Sequence, residues 1–147
     1  MPAHPIQNPL QTPASQYSQR FGPLPPHFAR ATQLTGRDRR LLLISGTSSV
    51  IGEESIHPGD LRSQLKVTLA NIERVVIEAN SLDPVAISKQ EFRIDQARAY
   101  VKRESDCTIV AEAVALALRG LVRLEIVEAD LCRSDLLIEI EAKAERV

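Results

Sequence analysis

The chain has 147 residues, with 18 Lys and Arg against 19 Asp and Glu, 44% apolar residues and only five aromatics. That is enough chain for one core, since a domain of this size buries roughly 68 to 70% of its unfolded surface and needs neither disulfide nor metal to hold it. A formal charge of −1 gives no global electrostatic reason to bind nucleic acid or an anionic membrane, and no apolar run approaches the ~20 residues needed to cross a bilayer.

Seven of the nine prolines lie before residue 27, mixed with Gln and Ser, a composition that builds neither a helix nor a central strand. Residues 1–26 are therefore expected to form an extended arm carrying Tyr17, Phe21 and Leu24 along a surface, or else a disordered tail. The opening MPAHPIQNPL has neither a basic nor an apolar signal region, so the expected compartment is the cytoplasm, with Cys107 and Cys132 as free thiols. His4, His27 and His57 have no ligand spacing with either cysteine, so no metal site and no cofactor are expected.

Regular patterning starts at Phe28 and runs through residues 27–147 as one domain. A weak strand at 28–34 and a Gly-Arg-Asp turn lead to an apolar strand from Arg40 to Ser45. Gly46-Thr-Ser-Ser-Val-Ile-Gly52 continues with small residues, and its terminal glycines predict a bulge or a close backbone approach. Pro58 and Gly59 break the strand, and Asp60 is placed to cap a helix whose apolar residues at 61, 65, 69, 72 and 76 share one face. It is expected to end near Asn80, before an Asp83-Pro84 turn. A strand at 92–102 follows, with Phe92, Ile94 and Tyr100 alternating with polar residues. Ser105-Asp106 is expected to cap a second helix at 107–119, with Ile109, Ala113, Leu116 and Ala117 as its stripe and Gly120 as its stop. Two last strands, 121–131 and 135–145, close the chain. In the second, Leu136, Ile138, Ile140, Ala142 and Ala144 alternate with Asp135, Leu137, Glu139, Glu141 and Lys143. The order β-β-α-β-α-β-β predicts an α+β sandwich with two helices on one face of a mixed sheet. The uncovered face is mixed polar and apolar, which predicts that an oligomer closes over it.

Ile44-Ser45-Gly46 at a strand end, together with Glu139-Ile-Glu-Ala in the last strand, resembles the RidA/YjgF superfamily from about Phe28 to Ala144. The resemblance implies a homotrimer with ligand clefts between subunits, sharing its fold with trimeric chorismate mutases. Within that superfamily three stretches look most like the chorismatases: Ser45 to Asp60, Gln64…Thr68-Leu-Ala-Asn-Ile-Glu73, and Asp130-Leu-Cys-Arg-Ser-Asp-Leu-Leu-Ile-Glu-Ile-Glu141. Chorismatases resemble a chain about twice as long, with an N-terminal half that this sequence lacks.

The resemblance implies that Glu139 is the catalytic acid, whereas from spacing alone it would be a solvated strand residue like Glu141. It also implies that Cys132, seven residues earlier, steers the product as in the 3-hydroxybenzoate-forming branch, through an arene oxide. The other branch has a small residue there and yields a dihydrodiol. A dianion needs cations, and Arg30, Arg123 and Arg133 are the candidates because guanidinium holds a carboxylate with two parallel hydrogen bonds. Arg123 falls, with a one-residue gap, near the carboxylate-binding arginine of RidA-type deaminases. Phe28 stands where those deaminases have a tyrosine and Arg30 where they have a glutamine. Ser45, Gly46 and Thr47 offer hydroxyls and backbone amides to an anion, without the Gly-Lys-Ser/Thr ending of a P-loop. His57 is a candidate base, or a capping residue. The expected ligand is a small anionic metabolite, chorismate or a keto-acid imine, and the expected activity is cleavage of chorismate to 3-hydroxybenzoate and pyruvate. The alternatives are a RidA-like deaminase acting on enamines or imines and a trimer that binds a small anion without turnover.

Overall fold

The computed structural model describes residues 2–82 and 91–146. Its core is a six-stranded mixed sheet in the order β1-β2-β3-β8-β6-β7, formed by β1 (Ala3–Ile6), β2 (Ala31–Thr35), β3 (Arg40–Ser48), β6 (Arg93–Val101), β7 (Arg123–Glu128) and β8 (Ile138–Arg146). Neighbours are antiparallel except β6 and β7. β4 (Val50–Ile51) and β5 (Glu54–Ser55) make a separate small hairpin after β3.

Two helices, α1 (Leu61–Ser81) and α2 (Cys107–Ala117), lie on one face, as the α+β reading expects. Alternation in β8 explains why that face is dry: Ile138, Ile140, Ala142 and Ala144 are all buried, whereas before the strand Leu137, expected on the opposite face, joins the core in place of Leu136. Each fully buried large aliphatic contributes roughly 1.5 to 3 kcal/mol. Asp60 caps α1 as expected, its Oδ1 accepting from the Ser63 amide at 3.1 Å.

Several elements differ from expectation. Part of the proline-rich arm is ordered as β1, an edge strand on β2 that places Pro5 opposite Thr32, where a missing amide hydrogen costs little. The second helix stops at Ala117 and is rotated: Val110 and Val114 are its buried residues, while Leu116 is exposed. Asp106 does not cap it by side chain; its carboxylate pairs with Arg103 at 2.9 Å. The strands expected at 121–131 and 135–145 are narrower or shifted, and residues 129–137 form the loop between them. The expected Asp83-Pro84 turn lies outside the described residues.

α1 buries more than its apolar stripe. Gln64, Thr68 and Asn71 are at most 1% exposed; for Gln64 and Asn71 the reason is that irregular backbone beside the helix has carbonyls and amides to satisfy, while the Thr68 hydroxyl has no partner among the described residues. Gln64 donates to the carbonyls of His57 (3.0 Å) and Asp135 (2.8 Å) and accepts from the Leu137 amide (2.8 Å). Asn71 donates to the carbonyls of Ser48 (3.1 Å) and Val50 (3.0 Å) and accepts from Asn8 (3.1 Å). One helix face thus locks the end of β3, the loop before β8 and the arm together.

Candidate functional site

The expected bulge is present in β3. Ile44 pairs with Ala142 and Thr47 with Ile140, so Ser45 and Gly46 together oppose the single residue Glu141. The extra residue reverses the alternation from there on. Thr47 turns to the helix side and is 3% exposed, while Ser48 comes opposite Glu139.

This irregular end of β3 opens on a cavity of about 1050 Å³. Its walls bring together Glu139 of β8, Cys132 and Arg133 of the preceding loop, Ser45 and Gly46 of the bulge, Tyr100 of β6, and Tyr17, Phe21, Phe28 and Arg30 from the arm and its continuation. Seven of the residues singled out in the sequence therefore line one cleft.

Two do not. Thr47 faces the core side, its hydroxyl donating to the Ser45 carbonyl at 2.8 Å. Arg123 lies on a second, shallower concavity of about 340 Å³ on the open sheet face, with Leu43, Arg98 and Lys143, and pairs there with Glu125. Within one protomer it is not part of the Glu139 cleft. Ser45 lines that cleft, but its hydroxyl is committed to the Ala29 carbonyl at 2.8 Å. His57 takes a left-handed turn conformation with φ 57° and offers its carbonyl to Gln64.

Glu139 and Glu141 sit two residues apart in different surroundings. Glu141 accepts from Tyr100 Oη at 3.0 Å and Arg98 Nη1 at 3.1 Å. Glu139 has no cation partner among the described residues; its one side-chain hydrogen bond there is from Ser48 Oγ to Oε2 at 3.4 Å. Burial pushes the Glu139 carboxyl above the ordinary range; Ser48 opposes this and the charge of Glu141 adds to it. The Cys132 thiol is also pushed up, first by desolvation and then by the Glu139 charge, against the opposing Arg133. It is therefore a neutral thiol near pH 7, suited to shaping a cavity rather than to attack. Cys107, half-buried against the core, has no part in the cleft.

The arginines are held by aromatic faces. Arg133 lies 4.0 Å from the Phe21 ring centroid and 5.4 Å from that of Tyr17, and donates to the Glu53 carbonyl at 2.7 Å and Ser55 Oγ at 3.1 Å. Arg30, 6% exposed, sits between Phe28 (5.1 Å) and Tyr17 (5.6 Å). Its Nη2 donates to the Thr12 carbonyl at 2.8 Å and to Tyr17 Oη at 2.6 Å, while its Nε is buried with no partner among the described residues. Such stacking desolvates a guanidinium without neutralising it. Tyr17, Phe21 and Tyr100 were not singled out as site residues, the first two hidden by the arm's proline-rich composition; Ser48 belongs to the small-residue stretch after Gly46, but a bulge expected from the glycines does not say which of its hydroxyls faces Glu139.

Comparison with known proteins places this geometry. No protein-family model matches the chain. It is 38% identical over 141 residues to a 3-hydroxybenzoate synthase of Streptomyces hygroscopicus, covering 92% of this chain and 42% of that protein. A crystal structure of a chorismatase superposes with a TM-score of 0.87 at 32% identity, over 98% of this chain and 44% of the other. Rv2704 of Mycobacterium tuberculosis, a member of the YjgF/YER057c/UK114 family, matches with a TM-score of 0.60 at 25% identity, over 90% of this chain and 97% of its own. The chain has the fold of the RidA/YjgF superfamily. Within that fold it is a homologue of the chorismatases, spanning less than half the length of the curated relatives it matches.

Proposed function

We propose that the chain is a chorismatase-like enzyme that releases pyruvate from chorismate to leave 3-hydroxybenzoate. The observation that carries this reading is the pairing of Glu139, whose carboxyl is pushed upward by burial, with Cys132 and Arg133 in one cleft, on a chain homologous to chorismatases. Removing an enolpyruvyl group needs a proton on its terminal vinyl carbon, which leaves an oxocarbenium ion for a nucleophile to trap. A carboxyl kept protonated by burial supplies that proton at neutral pH and recovers one later as base. Overall one chorismate gives one 3-hydroxybenzoate and one pyruvate, with no atom left over.

Arg133 and Arg30 face the substrate carboxylates, Phe28, Ser45 and Gly46 line the ring, and Cys132 selects the product by its bulk. The cleft is larger than a small dianion fills, since ligand pockets run roughly 300 to 1000 Å³. A homotrimer closes it, and Arg123, on the open face, reaches a cleft from a neighbouring copy. The second reading is a RidA-like deaminase, kept because the chain shares its fold with Rv2704 of the YjgF/YER057c/UK114 family. The two readings separate when the purified protein is given chorismate and, in parallel, an imine generated from an amino acid. Pyruvate with 3-hydroxybenzoate from the first supports our reading; accelerated ammonia release from the second alone replaces it.

A further inference from the structure

Two residues on β3 fix how Glu139 sits. Gly46 does not have a left-handed backbone, so its dihedrals alone do not demand glycine. Space does. A Cβ built there would overlap Glu139 Oε1 and lie 2.9 Å from its Cδ, closer than real Cβ contacts come. Gly46 is the floor on which this carboxyl rests. The bulge then sets Ser48 rather than Thr47 opposite Glu139, and Ser48 Oγ donates to Oε2.

Building on the reading of Glu139 as proton donor, we propose that Gly46 and Ser48 are its positioning residues, Ser48 holding Oε2 and Gly46 making room for Oε1, so that the transferable proton resides on Oε1. An oxygen that already accepts a hydrogen bond serves as the carbonyl oxygen of the neutral acid, which leaves the other to carry the hydrogen. Ser48 is 7% exposed, so its bond is shielded from competing water. The bulge is then a functional device: without it Thr47 would stand opposite Glu139.

The test uses the full chain labelled with ¹³C-carboxyl glutamate and titrated by NMR, the Glu139 resonance being the one lost in Glu139→Gln. Ser48→Ala is expected to raise the Glu139 pKa above the wild-type value, because a donor to the anion is gone, and Ser48→Thr to bring it back down. In chorismate turnover Ser48→Ala moves the alkaline limb of the pH profile upward by the same shift. Gly46→Ala should lower turnover about 10²-fold, the usual cost of misplacing a reacting group by about 1 Å. Adding Glu139→Asp, whose shorter side chain leaves room for the methyl, should restore activity above that of Glu139→Asp alone. A Glu139 pKa unmoved by Ser48→Ala, or undiminished turnover in Gly46→Ala, overturns the proposal. If Gly46→Ala does not fold, the Ser48 titration decides alone. If even the wild type leaves chorismate intact, a pKa that depends on Ser48 upholds the positioning while the chorismate reading falls.

Discussion

Glu139 costs the fold something that its neutral amide would not. Its carboxyl titrates above the ordinary range because burial disfavours the charge, so the folded state holds this proton more tightly than the unfolded state. Stability then falls as pH rises from the ordinary carboxyl range through the folded value, and levels off above it. Glu139→Gln should accordingly raise Tm at pH 7, with the gain vanishing in acid where both side chains are neutral; an unchanged or lower Tm at pH 7 contradicts the burial argument. Cys132 makes a different prediction. As a neutral group beside Glu139 it should be dispensable for turnover, and Cys132→Ala should keep releasing pyruvate while the aromatic product gives way to a dihydrodiol, resolved by chromatography. Loss of all turnover in that variant would mean that the thiol does more than shape the cavity. That Glu139 and Cys132 share a cleft was legible through their common motif with chorismatases, and Arg133 entered as one of three cations able to hold a carboxylate. Thr47 was misplaced because plain alternation puts it on the Glu139 face, and only the bulge at Ser45 and Gly46 turns it away.

At the scale of elements, the arm, α1 and the end of β3 act as one unit through Asn71. Asn71→Ala would remove donors from the Ser48 and Val50 carbonyls and an acceptor from Asn8. Gln11 still donates to the Val50 carbonyl and accepts from Asn8, so the main loss is the donor to the Ser48 carbonyl; an unsatisfied buried group costs about 1 to 3 kcal/mol, and a loss of that size is expected in denaturant unfolding. A loss below about 0.5 kcal/mol, within the range of neutral surface changes, would mean that the network does not tie these elements. Here the hydrophobic pattern told half the story. The stripe at 61, 65, 69, 72 and 76 located α1, but buried Gln64 and Asn71 have no apolar signature and are explained only by the irregular backbone beside them. α2 was found but misrotated, because from Val110 to Ala117 nearly every residue is apolar and the periodicity has no polar side to set its phase. The alternation of β8 had that contrast, and from Ile138 to Ala144 its faces came out as the pattern required, while Leu137, just before the strand, went to the core instead. β1 escaped because its proline, Pro5, argues against a strand anywhere except an edge, where it lies.

At the scale of the molecule, the sheet has a second face that the chain does not cover with helices. Leu43 and Val127 are about two-fifths exposed there, beside Arg98, Arg123, Glu125 and Glu141. A mixed apolar and charged surface of this kind suits a symmetric contact between copies, and light scattering at micromolar concentration should report a trimer. Leu43→Glu, on the exposed face of β3, should dissociate it and abolish turnover while leaving the circular dichroism of the fold intact; a monomeric wild type with full activity would refute a site shared between copies. The central claim is that this chain alone carries a proton-donating chorismate site at Glu139, and its most direct test is a product balance. Purified protein is incubated with chorismate beside the Glu139→Gln variant, with all products quantified. The account predicts equimolar 3-hydroxybenzoate and pyruvate from the wild type and neither above background from the variant. Chorismate left intact by the wild type, or equal product from both proteins, would contradict it.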